Sequence, residues 1–364
     1  MRIGFRADAS VMHGAGHVMR CLTLAVTLRA EGGNIFFISR ELPGNLCDLI
    51  EKKGFTLYRL PYENQRIAID QLSISHSSSK YGVLLDIDVR DTVNVLVKNR
   101  LDLDWLIVDG YEFNRDWEER IRPLVNRIMV IDDMANRLHD FDLLLDQNLH
   151  KNYKSRYDRL VPPLCQKMLG PQYALLRQEF RELRMLRRPI DKPVHRVSIF
   201  FSGSDPENET KKALKAMKLV RELRDIEIDV IVGSANLCKE DIRRFCESSG
   251  SMHFYCQVEN MASLMTRADF AVGAAGSASW ERCCLGLPAM VTVLSEDQLG
   301  IAEALGEYGA VLNMGWYSAL TVDDYVHAIE ILDVDQLKEM ALKGMNLVDG
   351  FGAVRVVKEL LKSR

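Results

Sequence analysis

The sequence holds no CxxC pair, no HxH and no HExxH. Those absences remove the usual spacings of zinc sites, dithiol redox centres and metalloproteases. The eight cysteines are Cys21, Cys47, Cys165, Cys238, Cys246, Cys256, Cys283 and Cys284, and only the last two are adjacent. This is not a small disulfide framework, and free cytosolic thiols are expected. No apolar run approaches the ~20 residues that span a bilayer. The N-terminal MRIGFRADAS runs straight into a strand pattern and lacks the apolar core of a signal peptide. A cytoplasmic protein with no membrane partner is the expectation. No long basic run occurs and the net charge is -4, so nucleic acid is not an expected partner. A small anionic ligand stays open, because backbone amides at a helix N-terminus bind phosphate whatever the global charge. Neither a metal ion nor a cofactor is expected.

What is present is ordinary globular material. Of 364 residues, 47% are hydrophobic and 27% charged, enough to bury two cores of ~150 residues each. Strand and helix patterns alternate almost throughout, which argues for parallel sheets with helices on both faces. Strands are expected at Arg2–Asp8, Asn34–Arg40, Thr56–Leu60, Trp105–Asp109, Arg127–Asp132 and Leu143–Asp146, and a helix from about His17 to Ala30. WLIVD and RIMVID are short apolar runs ending in acid, the pattern of buried parallel strands whose C-terminal ends face a site. Ser73–Lys80 (SISHSSSK) reads as a surface loop, and Leu186–Val194 (LRRPIDKPV) as a linker. A second series follows at His195–Phe201, Ile226–Val232, His253–Val258, Asp269–Gly273, Ala289–Val293 and Ala310–Asn313. Val348–Arg364 reads as a final helix. The expected division is a domain over 1–186, a linker over 187–194 and a domain over 195–364.

Three small-residue turns carry candidate chemistry. The first is Gly14-Ala15-Gly16-His17, between the first strand and first helix. Glycines let backbone approach a ligand, and a helix N-terminus offers unpaired amides. His17 stands beside Arg6 and Asp8 at the end of that strand. It is either a base that takes a proton from water, its tautomer fixed by a nearby carboxylate, or a structural histidine. The second is Gly203-Ser204-Asp205 after the strand ending at Phe201, with Pro206 and Glu207 opening a helix. It is either an anion site or an ordinary strand-to-helix turn. The third is Gly273-Ala274-Ala275-Gly276-Ser277-Ala278-Ser279-Trp280-Glu281. The amides of Gly276, Ser277 and Ala278 suit a diphosphate, with the Ser277 hydroxyl as a further donor. Glu281, about one turn on, offers two acceptor oxygens to ribose hydroxyls. Neither of the last two loops carries a Walker lysine, which argues against a P-loop triphosphatase. Weaker candidates lie at other strand ends: Asp132-Asp133, either acid–base partners or a turn cap, then Asp146-Gln147-Asn148 and Glu296-Asp297-Gln298.

The segments FRADASVMHGAGHVMRCLTLA, DWLIVDGYEF, MVIDDMANRLHDFDLLLDQNL, LGPQYALLRQEF, FFSGSDPENET, VGAAGSASWERCCLGLPAMV and EDQ occur in that order. Together they resemble the PseG family, the UDP-2,4-diacetamido-2,4,6-trideoxy-β-L-altropyranose hydrolases of pseudaminic acid biosynthesis. The resemblance runs from about Met1 to Gly309 and is poor from Tyr62 to Asp104. It implies a GT-B-like fold similar to that of the glycosyltransferase MurG, with two Rossmann-like domains facing a central cleft. It implies metal-independent release of UDP from a UDP-sugar, with inversion at the anomeric carbon. The family's GxGH histidine, which handles the attacking water, matches His17 after Gly14 and Gly16. Its diphosphate loop matches Gly276 and Ser277, its ribose-binding glutamate Glu281, and a glutamine near the sugar or phosphates Gln298. Further substrate contacts are expected from Arg6, Asp8, Asp109, Tyr111, Gly203 and Ser204. The family commonly has Asp-His-Tyr after the WLIVD strand, where this chain has Asp109-Gly110-Tyr111. Either this chain acts on a different sugar, or a neighbour fills the space. A glycosyltransferase on the same fold is the rival reading.

Overall fold

A computed structural model describes residues 1–12, 14–62, 78–186, 190, 193–220 and 225–362, with residues 78–83 described by backbone alone. Two compact units emerge. The first comprises Met1–Gln147, Asn152–Leu169 and Ala353–Arg364, and the second Asn148–Lys151 and Gly170–Gly352. The units part at Gly170, ahead of residues 187–194. Most of that expected linker lies outside the described residues.

The first unit is built on seven strands: β1 (Arg2–Ala7), β2 (Asn34–Arg40), β3 (Thr56–Leu60), β4 (Trp105–Asp109), β5 (Ile128–Ile131), β6 (Leu143–Asp146) and β7 (Gln166–Leu169). Their order is β3-β2-β1-β4-β5-β6-β7, and every pairing is parallel. Chain order reverses between β1 and β4, so loops leaving those two strands diverge and open a crevice at their C-terminal ends. Strands β4, β5 and β6 are buried at every residue. That explains their unbroken apolar runs, since helices cover both faces of a parallel sheet. The core is anchored by Trp117, Phe113, Phe141 and Tyr157. Each such fully buried apolar side chain contributes roughly 1.5–3 kcal/mol.

The polar run at Ser73–Lys80 divides. Residues 73–77 lie outside the described residues, and Ser78 already begins a helix that runs to Lys98. The surface-loop expectation therefore fails for Ser78–Lys80. The closing helix Gly352–Lys362 belongs to this unit from Ala353 onward. Ala353, Val356, Val357 and Leu360 are buried, an i, i+3, i+4, i+7 stripe. Gln166 Nε2 on β7 donates to Glu359 on the same helix.

The second unit has six strands: β8 (Arg196–Phe200), β9 (Glu227–Val232), β10 (Met252–Cys256), β11 (Phe270–Ala274), β12 (Ala289–Val293) and β13 (Leu312–Trp316). Their order is β10-β9-β8-β11-β12-β13, again wholly parallel. The reversal falls between β8 and β11. Trp280 and Phe180 are fully buried in its core. Sheet contact is tight at the reversal point. A Cβ placed on Gly273 of β11 would stand 2.1 Å from the Phe200 carbonyl oxygen of β8.

All eight cysteines are free thiols. Among the described residues, no helix is long and apolar enough to cross a membrane.

Candidate functional site

In the first unit, three of the sequence-predicted residues converge at the strand reversal. Helix Gly16–Ala30 carries His17, and β4 ends at Asp109. The His17 Nδ1 lies 2.6 Å from Asp109 Oδ1. Ionised Asp109 only accepts, so Nδ1 carries the proton and the lone pair of neutral His17 sits on Nε2. Tyr111 stacks its ring edge-on to the imidazole, with centroids 4.7 Å apart and planes at 83°. The side chain of His17 is 8% exposed, while Asp109 is wholly buried.

Sequence reasoning expected a carboxylate to fix the His17 tautomer and named Asp8 as a neighbour. The carboxylate in contact is Asp109, 92 positions away along the chain. Asp8 is engaged elsewhere. Arg6 binds both of its oxygens at 2.7 Å, and the Arg40 amide donates to Oδ1 at 2.6 Å. Arg6 also grips Asp88, which takes further bonds from Arg40, Trp117 Nε1 and Thr92. Arg6 is wholly buried and Asp8 nearly so. Both belong to a buried ionic cluster with Asp88 and Arg40.

Arg20, which the sequence reading did not name, and Asp133, one of its weaker candidates, complete the Asp109 surroundings. Arg20 donates from Nε to Asp109 Oδ2 at 2.6 Å and from Nη2 to Oδ1 at 2.7 Å, a two-pronged grip. Its Nη1 reaches Asp133 Oδ2 at 2.9 Å. Arg20 Nη2 also lies 3.3 Å from His17 Nδ1. Since both nitrogens carry hydrogen, that contact sets one donor against another and is not a hydrogen bond. Arg20 is one helical turn after His17, so an HxxR spacing was the signal that could have found it. Of Asp132-Asp133, the first matches the turn-cap reading and the second neither of the two. Asp132 caps a turn by accepting the Ala135 amide and the Tyr157 hydroxyl, while Asp133 joins the Arg20 cluster.

Burial opposes ionisation at His17, but the adjacent Asp109 charge outweighs it and holds the imidazole above its ordinary value of 6.5. Burial would likewise raise Asp109, yet Arg20 and His17 hold it far below the carboxylate range. Cys21 beside them is pushed up by burial and by Asp109, and stays a thiol.

Among the described residues, Gly14 and Gly16 have no atom within 4 Å of an added Cβ, and Gly14 pairs with Ser10 through both its amide and its carbonyl. At Gly110 the reverse holds. An added Cβ would meet Phe113 at 2.7 Å and a Glu112 carboxyl oxygen at 2.8 Å. Phe113 and Glu112 crowd the place a Cβ at residue 110 would take.

In the second unit, Gly276, Ser277, Glu281 and Gln298 come together. Ser277 precedes helix Ala278–Leu285, whose N-terminus receives no side-chain cap. Its leading amides point from an end that no side chain caps, with the positive dipole pole behind them. Gln298 Nε2 lies 3.7 Å from the added Cβ of Gly276, and its Oε1 accepts the Leu294 amide at 3.1 Å. Glu281 sits in the first turn, 23% exposed, with Arg177 Nη2 3.9 Å away. Beneath the loop lies Arg282, a residue the sequence reading passed over. It is 2% exposed, and its Nη2 donates to Ala274 O at 2.6 Å and Ser279 Oγ at 2.9 Å. Burial lowers its pKa to about 10, still a cation at neutral pH. A buried positive charge thus backs the open amides.

The Gly203-Ser204 turn is different. The helix beyond it begins at Glu209, not at Pro206. Asp205 and Asn208 have φ of +40° and +54°, left-handed geometry that turns the chain before the helix can start. The Asp205 carboxylate accepts the Glu209 and Thr210 amides at 3.0 Å each. That helix end already holds an anion, supplied by the chain itself. Of the remaining candidates, Asp146 pairs with Arg156 at 2.9 Å, and Asn148 accepts Trp280 Nε1 at 3.0 Å.

No family model matches the chain. Three characterised or catalogued relatives do. A spore coat polysaccharide biosynthesis protein of Bacillus subtilis, SpsG, is 29% identical over 98% of this chain and 96% of its own length. The uncharacterised protein MJ1062 of Methanocaldococcus jannaschii is 26% identical over 82% of this chain, which spans only 57% of that protein. The UDP-2,4-diacetamido-2,4,6-trideoxy-β-L-altropyranose hydrolase of Campylobacter jejuni is 25% identical over 76% of this chain and 86% of its own length. Among solved structures, MurG of Acinetobacter baumannii aligns with a TM-score of 0.65 at 15% identity, covering 99% of each chain. The glycosyltransferase VinC in complex with dTDP aligns at 0.63 and 14% identity, covering 100% of this chain and 99% of its own. The chain has the GT-B fold of these proteins, two Rossmann-like units with parallel sheets of seven and six strands.

Proposed function

We propose that the protein is a UDP-sugar-processing enzyme, and specifically a hydrolase. Its substrate is UDP-2,4-diacetamido-2,4,6-trideoxy-β-L-altropyranose or a closely related UDP-amino sugar, and it serves pseudaminic acid biosynthesis. The observation that carries the reading is the His17–Asp109 pair, which leaves a basic lone pair on Nε2. Similarity to the C. jejuni hydrolase supports the substrate class.

In this reading Nε2 takes a proton from water. The water oxygen bonds to the anomeric carbon as the bond from that carbon to the UDP oxygen breaks. Attack opposite the leaving group inverts the centre. UDP departs as an anion, stabilised by the amides of Gly276, Ser277 and Ala278 and by the buried Arg282 charge. Glu281 accepts from the ribose hydroxyls, and Gln298 and Tyr111 contact the phosphates or sugar. The GT-B fold shared with glycosyltransferases keeps a second reading alive, in which an acceptor hydroxyl takes the place of water.

The test is UDP release by purified protein from the UDP-diacetamido-trideoxy-altrose in 18O-labelled water, without acceptor. Release with label on the sugar's anomeric oxygen is expected, together with a loss of about 10²–10⁴ in kcat for His17→Gln. Release that requires an added acceptor overturns hydrolysis. Near-normal turnover in His17→Gln overturns the role given to that residue.

A further inference from the structure

We propose that Arg20 and Asp133 act as an opposed pair that sets the basicity of His17 through their shared contact with Asp109. This rests on the reading of His17 as the base, but the charge coupling is measurable without substrate. The geometry is a linear relay. Asp133 Oδ2 meets Arg20 Nη1 at 2.9 Å, the other face of the guanidinium takes both Asp109 oxygens, and Asp109 Oδ1 meets His17 at 2.6 Å. All four side chains are at most 12% exposed, so solvent screens them weakly. With neutral His17 the cluster carries two carboxylates against one guanidinium, and a proton on His17 would bring it to zero.

A lone Asp109 beside His17 would bind that proton tightly and remove the base near neutrality. Arg20 counters this twice: it neutralises Asp109, and it sets a positive charge 3.3 Å from Nδ1. Asp133 draws on Arg20 and works in the other direction. These opposite signs match the influence of each group on the imidazole. The other groups facing His17 do not compete. Tyr111 offers a ring edge, and Cys21 stays protonated. Arg20 and Asp133 touch no reacting atom in this scheme and are positioning residues.

The experiment follows the His17 imidazole resonance by NMR against pH in the full-length protein, assigned by its absence in His17→Gln. Arg20→Gln is expected to move the His17 midpoint upward by about one pH unit or more, and Asp133→Asn to move it downward. The acid limb of the kcat/KM profile should follow, so that Arg20→Gln recovers activity as pH rises. A purely structural role would lower the rate at every pH. If Arg20→Gln does not fold, the Asp133→Asn shift alone decides. An unmoved midpoint, or movement of both variants in one direction, overturns the proposal. A moved resonance with an unmoved acid limb upholds the coupling and overturns the base role of His17.

Discussion

Arg6 meets Asp8 through two 2.7 Å hydrogen bonds while also gripping Asp88, so one fully buried guanidinium holds together two carboxylates from distant parts of the first unit. Removing one partner of such a cluster strands charge in a dry environment. Arg6→Met is therefore expected to cost about 3–5 kcal/mol of stability, read from urea unfolding. Full stability with lost turnover would mark Arg6 as a ligand contact.

The same cluster sets an acid limit. Burial would raise Asp88, but Arg6 and Arg40 overcome it and bring the carboxyl down to about 2, against an ordinary 3.8. A group depressed in the folded state stabilises above its unfolded value and loses that contribution as pH falls through its folded value. The urea midpoint should thus fall steeply between about pH 4 and 2. Asp88→Asn should flatten that fall and lower the plateau near neutrality. An unchanged profile in the variant would assign the acid transition to other groups.

Gly273 and Gly276 are three residues apart and should respond in opposite ways to the same methyl group. At Gly273 the added carbon meets backbone oxygen of the neighbouring strand at 2.1 Å, which side-chain motion cannot relieve. Gly273→Ala should lose about 1–3 kcal/mol of stability or more. At Gly276 the nearest atom is a flexible amide at 3.7 Å, so Gly276→Ala should fold normally. Its methyl group would stand where a diphosphate approaches the loop, and calorimetric UDP affinity should fall at least tenfold. Equal UDP affinity in Gly276→Ala would move the diphosphate elsewhere.

Glu281 makes a prediction about the sugar of the nucleotide. Its carboxylate lies partly buried in the first helical turn, with Arg177 Nη2 3.9 Å away. Hydrogen bonds to a charged group are worth about 1.5–3 kcal/mol. Wild-type protein should bind UDP about tenfold or more tighter than 2′-deoxy-UDP, and Glu281→Ala should erase the difference. A preference that survives the substitution would assign ribose recognition to another residue.

Most of the fold was legible because its strands are buried on both faces. Trp105–Asp109, Leu143–Asp146 and Ala289–Val293 are seen at the expected bounds. The strand β7 was missed because Gln166 and Lys167 are exposed and break the apolar run. The strand expected at Ala310–Asn313 lies at Leu312–Trp316, a half-buried segment without a sharp hydropathy edge. Within the site, His17, Asp109 and Tyr111 were each named, but not the bond between the first two. Contacts that cross from β1 to β4 depend on strand order, and strand order is not a local property. The reading set Asp8 beside His17 and left the carboxylate that fixes the tautomer unnamed. It also missed the self-capping by Asp205, since a capping aspartate and a ligand-facing one look alike until the helix start is known.

The helix Gly352–Lys362 belongs, from Ala353 onward, to the unit that holds His17, although all the intervening chain from Gly170 forms the other unit. On the ribosome the first unit therefore waits for the residues from Ala353 onward before that apolar stripe can be covered. Synthesis at ~5–20 residues per second makes that wait roughly ten to forty seconds after Leu169 is joined. A stop ahead of Ala353 would spare the Gly273–Glu281 loop and damage the unit that carries His17.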